Sequence, residues 1–179
     1  MTIKPSPSGF SAEQPPLRLI MSMIVRRIET ETDWDAAQRI RTRVFIEEQG
    51  CPPEEEWDAH DEPAARGVTC QHLLGLVDGE PVAVARWRPV THDGERMAKL
   101  ERFAVLPAWR GKGLGRRMVA ATIEDAAAAS FTAFVLHAQA HLEGLYASFG
   151  FERVGGVFEE AGIPHVLMVR RGGGDENQV

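Results

Sequence analysis

Val105-Leu106-Pro107-Ala108-Trp109-Arg110-Gly111-Lys112-Gly113-Leu114-Gly115-Arg116-Arg117 reads as the end of an apolar strand, a glycine loop and the start of a helix. Glycines at 111, 113 and 115 tolerate left-handed backbone and let main-chain N–H groups come close to a ligand. The helix that opens behind them adds partial positive charge, and Arg110, Lys112, Arg116 and Arg117 add full charges. Together these features describe a site for a pyrophosphate. No Gly-Lys-Ser/Thr follows, so this is not a Walker A loop. The glycines run G-x-G-x-G rather than G-x-G-x-x-G, so it is not a dinucleotide fingerprint either. The bland alternative is a glycine-rich turn with solvated basic residues.

Downstream of this loop, Gly115, Val119, Ile123, Ala126 and Ala127 share one face of a helix expected to reach about Ser130. Residues 131–138 form an almost unbroken apolar run, as in a central strand buried on both faces. A short helix is expected over 141–149, with Gly150 at its left-handed cap, and a closing hairpin over 151–158 and 165–170. Upstream, residues 98–106 form a strand, and Asp78-Gly79 joins residues 72–77 to 82–90 in a hairpin. Residues 24–28 alternate as a first strand, and Trp34, Ala37, Ile40 and Val44 follow helical spacing after a weak capping box at 32–35. That helix should run to about Glu48, where Gly50, Cys51, Pro52 and Pro53 stop it. The resulting order is strand, helix, three strands, helix, strand, helix, two strands. This predicts an α/β sandwich around a mixed sheet, with one domain over 23–171, a Pro- and Ser-rich extension over 1–22 and a polar tail over 172–179.

Composition narrows the function. The chain has 179 residues with 20 Lys+Arg against 26 Asp+Glu, a formal charge of -6, which argues against general nucleic-acid binding. Its 2 cysteines, Cys51 and Cys70, show no metal-ligand spacing and no disulfide framework. No apolar run nears the roughly 18 residues that cross a bilayer, and the proline-rich first residues lack the apolar stretch of a signal peptide. A cytoplasmic domain acting away from membranes is the expectation. Residues 47–62 hold eight acids and no Lys or Arg, which reads as a solvated loop with a short helical turn.

Arg110-Gly111-Lys112-Gly113-Leu114-Gly115 resembles the Arg/Gln-x-x-Gly-x-Gly/Ala signature of the GNAT superfamily of acyl-CoA-dependent N-acetyltransferases. Glu101-Arg102-Phe103-Ala104-Val105-x-Pro107 resembles the strand that leads into it, and Leu145-Tyr146-Ala147-Ser148-Phe149-Gly150-Phe151 the family's Tyr-x-x-x-Gly-Phe segment. The ElaA-like branch is most similar, through Arg43-Val44-Phe45 with Glu48-Gln49, His137-Ala138-Gln139-Ala140-His141 and Gly162-Ile163-Pro164-His165. The resemblance implies a mixed central sheet, flanked by helices, whose parallel strands over 98–106 and 131–138 splay apart. It also implies that the pantetheine of acetyl-CoA lies along the backbone of Phe103, Ala104 and Val105. The diphosphate would rest on the loop from Arg110 through Gly111, Lys112, Gly113, Leu114 and Gly115 to Arg116.

Acetylation of an amine by direct transfer needs a neutral amine, a polarised thioester carbonyl and a proton for the leaving thiolate. Tyr146 is the single tyrosine, and the resemblance makes it the thiolate's acid; spacing alone reads it as a core aromatic beside Phe149 and Phe151. Candidate bases are Glu101, otherwise a salt-bridge partner, and His137 or His141, either of which could instead be structural. His165 could reach the acceptor side, and a water chain could replace all of them. Glu56, Asp58, His60 and Asp61 match no metal pattern, so no metal is expected. Their loop is expected to border the acceptor cleft and attract a cationic amine, with Trp57 lining the cleft or anchoring the loop. The acceptor would be a small-molecule or peptide amine, and the terminal hairpin offers an edge for pairing two copies. A non-catalytic acyl-CoA sensor is the alternative from another class.

Overall fold

The computed structural model describes residues 22–172. The expected extension over 1–22 and tail over 172–179 lie, apart from Ser22 and Gly172, outside the described residues. Seven strands form one sheet in the order β1-β2-β3-β4-β5-β7-β6. They are β1 (Met23–Arg27), β2 (Gln71–Val77), β3 (Glu80–His92), β4 (Glu95–Val105), β5 (Ala133–Gln139), β6 (Glu152–Glu160) and β7 (Ile163–Arg171). The hairpin turns Asp78-Gly79, Asp93-Gly94 and Ala161-Gly162 have positive φ at both positions, matching the twist of the strands they join.

Helices cover both faces. α1 (Glu31–Arg41) continues as a π-helical stretch, Thr42–Glu48, so the helical run ends at Glu48 as its stop signal predicts. Its cap is Thr30, whose side chain accepts from the Asp33 N–H, and not the expected box at 32–35. Trp34, Ala37, Ile40 and Val44 pack against Leu74, Val84 and Ala104. On the other face α3 (Leu114–Ala128) sets Met118, Val119 and Ile123 against Leu73, Val82 and Leu100. Adjacent Leu73 and Leu74 therefore feed opposite cores, the alternation that a strand requires. The short helices are α2 (Pro53–Glu56) and α4 (Glu143–Ala147).

The centre of the sheet is where the ladder fails. β4 and β5 run parallel, but their pairing is limited to Ala98 with Phe134 and Lys99 with Val135. Beyond Lys99 the strands part. A bulge on β4 accompanies the parting: Arg86 of β3 faces Glu101 and Val84 faces Ala104, so Ala85 opposes both Arg102 and Phe103. Arg102 adopts φ +58°, a left-handed conformation that costs a non-glycine residue about 1–2 kcal/mol.

Ion pairs surround that strained residue. Arg102 donates to the carbonyls of Glu55 and Glu56, and its guanidinium lies 3.2 Å from the Glu56 carboxylate. Arg41 pairs with Glu56 and Asp61, and Arg86 with Asp58, Asp61 and Glu101. Arg41 and Arg86 are each only 1% exposed and Glu56 only 2%. The acid loop is thus only partly a solvated face: Glu47, Glu48, Glu54, Glu55 and Glu62 are exposed, while Glu56, Asp58 and Asp61 turn inward. Three of its carboxylates neutralise arginines buried under the sheet, because a buried guanidinium requires a partner. Trp57 lies against the Arg41 guanidinium, 4.4 Å from the ring centroid, and anchors the loop rather than lining the cleft.

Candidate active site

The gap between β4 and β5 opens into a cavity of about 740 Å³. Its floor on one side is the β4 segment Phe103, Ala104 and Val105. At one end stand Arg110, Gly111, Gly113, Leu114 and Gly115. The turn closes with the Arg110 N–H on the Pro107 carbonyl, and bonding resumes with the Arg117 N–H on the Gly113 carbonyl. Amides from Gly111 to Arg116 therefore have no backbone partner among the described residues. Gly111 at φ +72° and Gly113 at φ +82° make this turn, and Gly113 caps α3 without a side chain. A Cβ at Gly115 would meet only Val105 Cγ2 at 3.9 Å, so that glycine sits against the strand it follows.

The basic side chains divide. Arg110 borders the cavity and donates bidentately to Glu48 at 2.6 and 2.9 Å, while its Nε donates to the Val105 carbonyl. Lys112 and Arg116 lie outside the cavity wall. Lys112 donates to the Ala108 carbonyl over the Trp109 ring, and Arg116 donates to Ser148 Oγ over Phe149. Arg116 thereby ties α3 to the helix that carries Tyr146.

Tyr146 is 5% exposed, packed on Phe103 and Phe151, and still reaches the cavity. Burial pushes its hydroxyl well above the ordinary phenol range, so it stays protonated at neutral pH. No protein acceptor among the described residues takes that proton. Glu101 also borders the cavity, but Arg86 Nε at 3.0 Å and Arg88 Nε at 2.8 Å both donate to it. Burial alone would raise its carboxyl; Arg86, Arg88 and Lys99 outweigh burial and hold it below the usual range. A carboxylate so held is a weak proton acceptor at neutral pH. Cys51 lines the same cavity, and burial together with Glu56 and Glu55 pushes its thiol up, away from a nucleophilic thiolate.

His137 and His141 both border the cavity, as do His165, Gln139 and Gln49. Gln139 donates to Gln49 at 3.2 Å, which joins the end of β5 to the segment following the π-helical stretch. With Glu48 on Arg110 and Gln49 on Gln139, two consecutive residues reach both sides of the splay. Glu160 is the lining residue that sequence reasoning missed: its Oε2 lies 2.8 Å from His137 Nδ1. Its one signal was its place beside the Ala161-Gly162 turn. Among the described residues no cluster of His, Cys, Asp and Glu is arranged to hold a metal ion, and no helix is long and apolar enough to cross a membrane.

Comparisons with known proteins agree with this geometry. The acetyltransferase (GNAT) domain matches residues 59–171. A candidate acetyltransferase of Bacillus subtilis is 40% identical over 149 residues, which cover 83% of this chain and 97% of that protein. The crystal structure of Escherichia coli ElaA superposes with a TM-score of 0.71 at 31% identity, covering 84% of this chain and 100% of that one. A GNAT acetyltransferase of Brucella melitensis, solved in complex with acetyl-CoA, shares the fold with a TM-score of 0.66 at 21% identity, covering 88% and 93% of the two chains. The domain match runs from the turn beginning at Ala59 to the last residue of β7 and takes in both splayed strands: this chain belongs to the GNAT acetyltransferase family.

Proposed function

We propose that the protein moves an acetyl group from acetyl-CoA to a primary amine by direct transfer in a ternary complex. The observation that carries this reading is one continuous cavity lined by the glycine loop with its unpartnered amides, by β4 and by Tyr146. The residues present fit the cosubstrate. Amides from Gly111 to Arg116, at the positive end of α3, suit a diphosphate. Phe103, Ala104 and Val105 offer a strand edge with no partner on the β5 side. Acetyl-CoA supplies the activated acyl thioester. Tyr146 holds a proton at its hydroxyl where the departing sulfur would need one. Arg110 exchanges Glu48 for diphosphate or bridges the two, and the side chains of Lys112 and Arg116 act only as local anchors.

Thiol release from acetyl-CoA, measured with spermidine, L-lysine amide and a peptide with a free N-terminal alanine, tests the reaction. Gly113→Val tests the ligand. Position 113 has φ +82°, which a β-branched residue strains to adopt, so the loop amides should lose their aim. No atom lies within 4 Å of a Cβ at 113, so the core should be unaffected. The expected result is a folded protein with acetyl-CoA affinity lowered by at least about tenfold, that is, about 1.4 kcal/mol. Unchanged affinity would remove the loop from the binding site.

A further inference from the structure

We propose that His137 and Glu160 form a catalytic base dyad on the acceptor side of the cavity, with Glu160 as the residue that positions the imidazole. This rests on the acetyl-transfer reading and extends it. His137 comes from β5, one of the splayed strands, and Glu160 from the end of β6, just before the Ala161-Gly162 turn. Both border the cavity that Tyr146 also lines. Nδ1 and Oε2 are 2.8 Å apart, and the imidazole also packs edge-on against Phe158 at 5.0 Å between centroids.

The chemistry follows from what a carboxylate can do. Hydrogen bonding from His137 lowers the Glu160 carboxyl from its usual range, with help from the charges of His165 and Lys99, so Glu160 is ionised at neutral pH. An ionised carboxylate only accepts. Nδ1 must therefore carry the proton, and in the neutral ring Nε2 keeps its lone pair. No protein group among the described residues bonds Nε2. The arrangement is a base oriented by a third group.

Other candidates fit less well. His165 Nδ1 donates to the Ile163 carbonyl, 2.8 Å away, and no carboxylate hydrogen-bonds its ring. His141 is exposed and has no side-chain partner among the described residues. Glu101 is held by three cations. The groups facing the dyad are Lys99 from β4 and His165 from β7.

The proton balance closes. Nε2 of His137 takes one proton from the acceptor ammonium and returns it to solvent, while Glu160 remains a carboxylate throughout. The freed amine nitrogen bonds to the acyl carbon as the carbon–sulfur bond breaks. The nitrogen's second proton is lost to water, and Tyr146 supplies the thiolate's proton and is refilled from water. One proton leaves the site overall.

The test uses the full chain with acetyl-CoA and the same three probe amines. His137→Asn should lower turnover by about 10²-fold and Glu160→Gln by about tenfold, each with the KM for acetyl-CoA unchanged. The double variant should be no slower than His137→Asn alone, since Glu160 acts only through the imidazole. Long-range ¹H–¹⁵N spectra of the histidine rings should show His137 protonated at Nδ1 in the wild type and losing that preference in Glu160→Gln. Additive losses, or full turnover in Glu160→Gln, would overturn the dyad. So would a wild-type ring protonated at Nε2 in an enzyme that turns over. An Nδ1–H ring with no thiol release on any probe amine would instead overturn the acetyl-transfer reading, and the base with it.

Discussion

Two clusters of titratable side chains lie on either side of β4, and they differ in access. Behind the bulge, Cys70 Sγ lies 3.2 Å from His72 Nε2, and Asp61 lies 3.9 Å from the same nitrogen. Burial pushes the Cys70 thiol up to about 11 and the His72 imidazole down to about 4. At neutral pH the thiol is protonated and the imidazole neutral, so the row is inert. Ahead of the bulge, Tyr146, His137 and Glu160 face an open cavity. Proximity alone therefore does not make a site. The buried cluster shares Asp61 with Arg86, which in turn binds Glu101 beside the bulge, and the open cluster has room for a ligand.

The comparison breaks first at Arg86. It is 1% exposed and meets Asp58, Asp61 and Glu101, which together push its guanidinium up against the opposing effect of burial. Arg86→Met keeps the length of the stem, leaves Asp58 without its main partner and removes one of the cations that hold Asp61 and Glu101. Removing one side of a buried ionic network typically costs about 3–5 kcal/mol. A large loss of melting temperature and of acetyl-CoA binding is expected, because the acid loop and the bulge would come free together. A variant as stable as the wild type would show that the cluster contributes nothing to the splay.

The next test is acid. The His72 imidazole folded at about 4 and unfolded near 6.5 means that the unfolded chain binds the extra proton first. Its contribution is full above the unfolded value and is lost as pH falls from about 6.5 to 4, on the order of 3 kcal/mol. Glu56, pushed up by burial, works in the opposite sense, since its folded carboxyl holds its proton after the unfolded one has lost it. The His72 part is isolated by comparing wild type with His72→Gln. The variant should lose less stability between pH 6.5 and 4 in chemical denaturation. Parallel pH curves would mean that His72 is not the acid-sensitive group.

The glycine loop was legible because a strand, three spaced glycines and a helix start occur in one run, each with its own local signal, whereas the splay was legible only through the family resemblance. The Asp93-Gly94 turn, which was not read from the sequence, carries the same dipeptide as Asp78-Gly79. The acid loop was misread for a physical reason: its partners lie far away in sequence, at Arg41 and Arg86. Both carried a sign of this. Arg41 continues the buried spacing of Trp34 and Ala37, and Arg86 sits between buried Ala85 and Trp87. A charge in the apolar phase calls for an opposite charge from elsewhere, and the unbalanced acids over 47–62 were the available source. Glu160 had no such phase, since nearly every residue of β6 is exposed. Only the packing of the last hairpin against β5 brings it to His137.

The smallest effect, and the sharpest for the open cluster, is Tyr146→Phe. The hydroxyl is lost with almost no change of volume, so packing against Phe103 and Phe151 should survive. The hydroxyl has no protein partner among the described residues, so no internal hydrogen bond is broken and the melting temperature should hardly move. If the phenol protonates the departing thiolate, its contribution arises mainly in the transition state. Turnover should then fall while the KM for acetyl-CoA stays the same. General-acid losses are typically about 10²–10⁴-fold, but a thiolate is already a stable leaving group and cavity water can replace the phenol. A loss of about 10²-fold or somewhat less is therefore expected. Full turnover in a folded Tyr146→Phe protein would assign the thiolate's proton to water and leave Tyr146 as a wall of the cavity.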